Sequence, residues 1–116
     1  MASAPALKSP ALLAVLFRSV SDPARLSCLL AVRDGPRTVG EIVAATGLSQ
    51  PNASKHLACL RDCGFVHAER DGRFVRYSLS CEGVDRLLYA AEDLFEAVGA
   101  SVSTCPTDGK WGSHGD

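Results

Sequence analysis

No long hydrophobic run exists in this sequence. The longest apolar stretch, ALLAVLF from Ala11 to Phe17, is far short of the roughly 20 residues a membrane span requires, and no basic leader or cleavage pattern accompanies it. No membrane association is expected, and the expected compartment is the cytoplasm. Low-complexity tracts are missing, which excludes a disordered or fibrous chain. Also missing are a Cys-x-x-Cys, a nucleophile elbow, a phosphate-binding loop and paired buried carboxylates, so an enzyme is not expected. The five cysteines are an odd number, which argues against a disulfide framework and for reduced thiols. Neither sign of charge dominates, with 12 basic and 13 acidic residues and a net charge of −1. Any affinity for a polyanion therefore depends on how charge is distributed.

The distribution is uneven. Residues 33–81 carry seven Lys/Arg against five Asp/Glu, whereas residues 82–116 carry two against seven. The middle is mildly basic and the end acidic. With 116 residues, 47% of them apolar and 22% charged, the chain has the length and composition of one globular domain. The expected division is a domain over 1–99 and a flexible tail over 100–116, the latter small, polar and Gly-rich.

Periodicity predicts five helices and a hairpin. Leu13, Leu16, Phe17 and Val20 fall at i, i+3, i+4 and i+7 behind Pro10, giving a first helix. Ser21 or Asp22 can cap a second, which opens on Pro23 and reaches the breaker Asp34-Gly35-Pro36. Thr38 and Glu41 have capping-box spacing for a third, ended by Gly47. Ser49 and Pro51 start a fourth, with Ala53, Leu57 and Leu60 inward, that runs to Cys63 and is stopped by Gly64. The period then changes to two across Phe65–Glu69 and Arg73–Leu79, with Asp71-Gly72 as a two-residue turn. From Val84 to Val98 helical spacing returns.

The expected fold is mainly α with a β-hairpin, a winged helix-turn-helix in the order α-α-α-α-β-β-α, in which the second helix of the pair lies in a DNA major groove. Residue types suit that use. Gln50, Asn52, Ser54, Lys55 and His56 lie outward or at the start of the fourth helix, where Gln and Asn can pair with adenine edges and Ser and Lys can meet phosphates. Arg70, Arg73 and Arg76 charge the hairpin. The partner implied is double-stranded operator DNA. One short helix with so little net charge binds weakly alone. The first and last helices carry more apolar surface than the monomer readily buries, so Leu13, Leu16, Phe17, Val84, Leu87, Leu88, Leu94 and Phe95 are expected to pair across a two-fold axis in a homodimer.

Three stretches, SVSDPARLSCLLAV (Ser19–Val32), TVGEIVAATGLSQPNASKHLACLRDCGFV (Thr38–Val66) and ERDGRFVRYSL (Glu69–Leu79), resemble the ArsR/SmtB family of metal-responsive repressors. The resemblance implies a dimeric winged-helix repressor released from its operator when an inducer metal binds. Family members place that metal differently. A helix-three site needs Cys-x-Cys, and the corresponding run here, EIVAATGL, has no thiol. A helix-five site needs histidine, and the fifth helix offers only Asp85, Glu92, Asp93 and Glu96. The arrangement of the cadmium- and lead-sensing CmtR branch uses cysteines at i and i+4 of the fourth helix with a cysteine from the tail. Cys59, Cys63 and Cys105 match it.

Residues i and i+4 hold their Cβ atoms roughly 5 to 6 Å apart on one side of a helix. Two thiolates so placed can chelate one ion, since metal–sulfur bonds are about 2.3 Å. An all-thiolate site favours soft ions: Cd, Pb or Hg, with As or Sb as further candidates and Zn if His56 or water supplies a fourth ligand. Asn52 stands seven residues before Cys59, so the thiols share a face with the DNA-directed residues. Cys28, in an apolar helix, reads as core, and Cys81 has no assigned role. The alternative is a thiol-redox repressor without a metal, although an i,i+4 disulfide would strain the helix.

Overall fold

A computed structural model describes residues 9–103. Five helices and three strands succeed one another: α1 (Pro10–Ser19), α2 (Pro23–Ala31), β1 (Arg37–Thr38), α3 (Val39–Thr46), α4 (Gln50–Asp62), β2 (Val66–Asp71), β3 (Phe74–Leu79) and α5 (Glu82–Ser103). Short polar side chains set where the helices begin. Ser9, Asp22, Thr38 and Ser49 each accept a hydrogen bond from the backbone N–H three residues on, and proline occupies the first turn of α1, α2 and α4. At α3 the expected capping box is complete: Thr38 Oγ1 accepts from the Glu41 N–H at 3.2 Å, and Glu41 Oε1 accepts from the Thr38 N–H at 2.9 Å.

The chain forms two compact units, one ending at Ser80 and the other beginning at Cys81. In the first unit α2, α3 and α4 pack together around Leu29, Val32, Ile42, Ala53, Leu57 and Leu60, which are fully buried or nearly so. Ala53, Leu57 and Leu60 are the inward stripe that the spacing predicted. The sheet has the order β1-β3-β2, antiparallel throughout. β1 was not expected; at two residues it is too short to show a period, and it exists through pairing with Arg76 and Tyr77.

The hairpin turn falls one residue later than expected. Asp71 pairs with Phe74, so Gly72 and Arg73 are the central residues, and Gly72 takes the positive φ of +66°. The pair α3 and α4, joined through Gly47 at φ +79° and succeeded by the β2–β3 wing, is the winged helix-turn-helix.

Among the described residues the second unit contains α5, 22 residues long. It continues past Gly99, where the tail was expected to begin. One glycine inside a helix costs only about 1 kcal/mol, and here the Phe95 ring lies over it, 3.1 Å from where a Cβ would stand. Cys105, together with the tail beyond Ser103, lies outside the described residues. Among the described residues no helix is long and apolar enough to cross a membrane.

Candidate functional site

α4 carries most of the residues expected to act. Its first turn is set by Ser49, whose hydroxyl accepts from the Asn52 N–H at 3.3 Å. Burial of Ala53, Leu57 and Leu60 then orients the helix, leaving Gln50, Asn52, Ser54 and Lys55 exposed. These four present two amides, a hydroxyl and an ammonium to solvent, the donor and acceptor set suited to base edges and phosphates.

His56 does not join them. Its side chain is only 14% exposed, and Nδ1 lies 4.0 Å from Asp22 Oδ2 at the start of α2. Asn52, His56, Cys59 and Cys63 form one stripe along α4 at spacings of four, three and four, and the middle of that stripe faces the turn between α1 and α2. Beyond His56, Cys59 is half-buried, and Arg25 Nη1 approaches its Sγ at 3.9 Å. The same guanidinium donates through Nε to the carbonyl of Ser19 at 2.8 Å. The Asp22 carboxylate caps α2 by accepting from the Arg25 N–H at 3.0 Å, and that bond, with the Arg25 and His56 charges, holds its pKa below the ordinary value.

Cys63 is exposed and forms the C-cap of α4. Its N–H donates to the Cys59 carbonyl at 2.9 Å, so the two thiols keep the helical i,i+4 relation. A Schellman closure ends the helix: the Gly64 N–H donates to Arg61 O at 3.0 Å and the Phe65 N–H to Leu60 O at 2.9 Å, with Gly64 at φ +86°. The donor set suits a soft ion, with two sulfurs on one face of a helix and at least one open to solvent. Among the described residues no three His, Cys, Asp or Glu side chains converge on a point that could hold a metal, and the third expected ligand, Cys105, lies outside them. Cys28 is fully buried, and burial pushes its thiol pKa up, as befits a core residue.

On the wing the three arginines differ. Arg73 stands exposed in the turn, and Arg70 is exposed with Nη1 donating to the Gly72 carbonyl at 3.3 Å. Arg76 is half-buried and engaged, with Nε on Asp71 Oδ2 at 2.9 Å and Nη1 3.8 Å from Glu41 Oε1. Its charge is spent on tying the wing to the cap of α3, which sequence could not show because Glu41 and Arg76 are 35 positions apart.

The expected pairing residues divide as well. Leu13, Leu16 and Phe17 on α1 and Leu94 and Phe95 on α5 are exposed, and Leu12, Val15 and Tyr89 join them. Val84 and Leu88, by contrast, are buried, at 8% and 5% exposure, and Leu87 is half-buried. Helical spacing marks an apolar stripe without telling which part of it the monomer already covers. The residue that sequence reading passed over is Arg25, whose only signal is its place three after Asp22 in Asp-Pro-x-Arg.

Residues 22–68 match the model of the arsR family of bacterial regulatory proteins. A Streptomyces lividans protein named "probable mercury resistance operon repressor" is 43% identical over 89 residues, spanning 77% of this chain and 71% of that one. The transcriptional regulator CmtR of Mycobacterium tuberculosis is 45% identical over 76 residues, which are 66% of this chain and 64% of CmtR. The solution structure of that protein, described as a cadmium metal-sensor, superposes with a TM-score of 0.59 over 66% of this chain and 80% of its own. A homodimeric winged helix-turn-helix DNA-binding domain from Mycobacterium bovis, 31% identical, superposes with a TM-score of 0.66 over 83% of this chain and 91% of that one. The capped α3–α4 pair, the wing and this degree of identity lead to one assignment: the chain belongs to the ArsR family of bacterial DNA-binding transcriptional regulators.

Proposed function

We propose that the protein is a homodimeric repressor that leaves its operator when a soft metal ion binds Cys59 and Cys63 of α4 together with Cys105 of the tail. The observation that carries this reading is the cysteine pair itself, one helical turn apart on the second helix of the helix-turn-helix and on the stripe that begins at the exposed Asn52. The mercury-operon repressor and the cadmium sensor among its relatives support thiophilic ions as the inducer class. Cd, Pb and Hg are the leading candidates, with As or Sb next and Zn where a nitrogen or water completes the shell.

Gln50, Asn52, Ser54 and Lys55 face the major groove, and Arg70 and Arg73 meet the backbone. The exposed apolar residues of α1 and α5 pair two copies on a pseudo-palindrome, and the homodimeric relative supports that assembly. Thiolate capture at the C-terminal turn of α4 changes the charge and constraint of the same helix that meets DNA. A coupling of about 1 to 3 kcal/mol, roughly 5- to 150-fold in operator affinity, suffices for derepression.

The test is an ultraviolet titration of the reduced protein with Cd(II), Pb(II), Hg(II) and arsenite, following thiolate-to-metal charge transfer in the wild type and in Cys59→Ser, Cys63→Ser and Cys105→Ser. A saturating band weakened by each substitution supports the three-thiol sensor, and the tightest ion names the inducer. A band indifferent to these cysteines, or no band, removes the metal switch, leaves the DNA-binding fold standing and moves the thiol-redox reading to first place.

A further inference from the structure

The contacts of Cys59 lead away from the DNA-directed face. Arg25 Nη1 stands 3.9 Å from the Cys59 sulfur while its Nε holds the Ser19 carbonyl at 2.8 Å. Ser19 is the last residue of α1, and its carbonyl is among those a helix end leaves without an intrahelical partner. One rigid guanidinium thus caps α1 with one arm and touches a sensing thiol with the other. Its own backbone is fixed by Asp22, which accepts from the Arg25 N–H at 3.0 Å and faces His56 Nδ1 at 4.0 Å. The α1–α2 corner therefore meets α4 at two successive positions of one stripe, His56 through Asp22 and Cys59 through Arg25. α1 is also the helix whose residues are exposed almost throughout and whose apolar side chains are offered for pairing.

We propose that Arg25 is a positioning residue that relays the state of Cys59 to the corner between α1 and α2, an inference that rests on the metal-sensing reading above. A free sulfur can accept from the guanidinium. Coordination replaces the thiol proton with a soft cation, commits one sulfur lone pair and redirects those that remain, so both the charge and the direction of the acceptor that Arg25 meets change. Ion capture therefore alters the Arg25–Cys59 contact, and the fork that caps Ser19 shifts with it. The signal reaches the end of α1 as well as passing along α4.

The experiment is hydrogen exchange on the full chain with and without saturating Cd(II), read at peptides covering residues 18–26 and 56–63, beside the charge-transfer titration. Wild type, Arg25→Met and Arg25→Lys are compared. In the wild type, Cd(II) is expected to change exchange at 18–26 by roughly 5-fold or more. Arg25→Met keeps the charge-transfer band and the response at 56–63 but loses the response at 18–26. Arg25→Lys keeps the positive charge without the two-armed bridge and loses it too, and it serves where the Met variant does not fold. An unchanged corner response in Arg25→Met overturns the relay while the metal site stands, and so does a wild-type response confined to 56–63. Rescue by Lys overturns the two-armed bridge in favour of charge alone. A wild type without any charge-transfer band overturns the metal reading and the relay together, an outcome distinct from the others because the band fails before any variant is compared.

Discussion

At the scale of single residues, the end of α4 depends on Gly64. Its φ of +86° lies in the left-handed region, and a Cβ there would meet nothing within 4 Å, so the cost of a side chain is backbone strain alone. Gly64→Ala is expected to lower unfolding stability by about 1 to 2 kcal/mol, measured by urea denaturation. Because the same turn places Cys63, the variant should also weaken ion binding relative to the wild type. The wing arginines offer a second residue-level test. Arg73→Ala should reduce the slope of duplex affinity against log salt by about 1 and leave stability within about 0.5 kcal/mol. Arg76→Ala should change that slope less, since Asp71 and Glu41 already hold its guanidinium. Equal slope changes for the two would show that the Arg76 pairs open on DNA.

Among the elements, α3 is the shortest helix, with eight residues, and it depends on its capping box. Thr38→Ala removes the hydroxyl that accepts from the Glu41 N–H and should cost about 1 kcal/mol. The carboxylate half of the box titrates. The Thr38 N–H, and after it the Arg76 charge, lower the Glu41 pKa below its ordinary 4.5. A depressed carboxylate contributes stability that is present in full above the ordinary value and is lost as pH falls through the folded one. The stability difference between wild type and Glu41→Ala should therefore be constant near neutrality and shrink in acid below about pH 4.5. A difference that persists unchanged into strong acid would show that the Glu41 carboxylate contributes nothing through its charge. Since Arg76 links this carboxylate to β3, acid should also loosen the wing.

At the scale of the whole molecule, α1 and α5 each leave large apolar side chains exposed, and in the proposed homodimer these are the surfaces that pair. Leu94 is 62% exposed, so Leu94→Lys should leave helix content unchanged. In the proposed dimer it would bury an unpaired ammonium. The dimer dissociation constant should rise at least about tenfold by sedimentation equilibrium, with operator affinity falling alongside. A dimer as tight as the wild type would place the interface elsewhere.

Sequence by itself determined the order of the five helices and the two hairpin strands, and the inward face of α4. Caps, first-turn prolines and the glycines after α3 and α4 are local signals with local physical causes, and Ala53, Leu57 and Leu60 announce their burial by spacing alone. The cysteine pair was legible for the same reason, because i and i+4 share a face in any helix. Tertiary structure alone decided what lies far apart in the chain. It paired the two residues of β1 with β3, bound Arg76 to Glu41, turned His56 toward Asp22, and buried Val84 and Leu88 while leaving Leu94 and Phe95 outside. Above all it brought Arg25 to Cys59 across 34 positions. No periodicity encodes such a contact, because it depends on how α2 packs against α4 once both are formed.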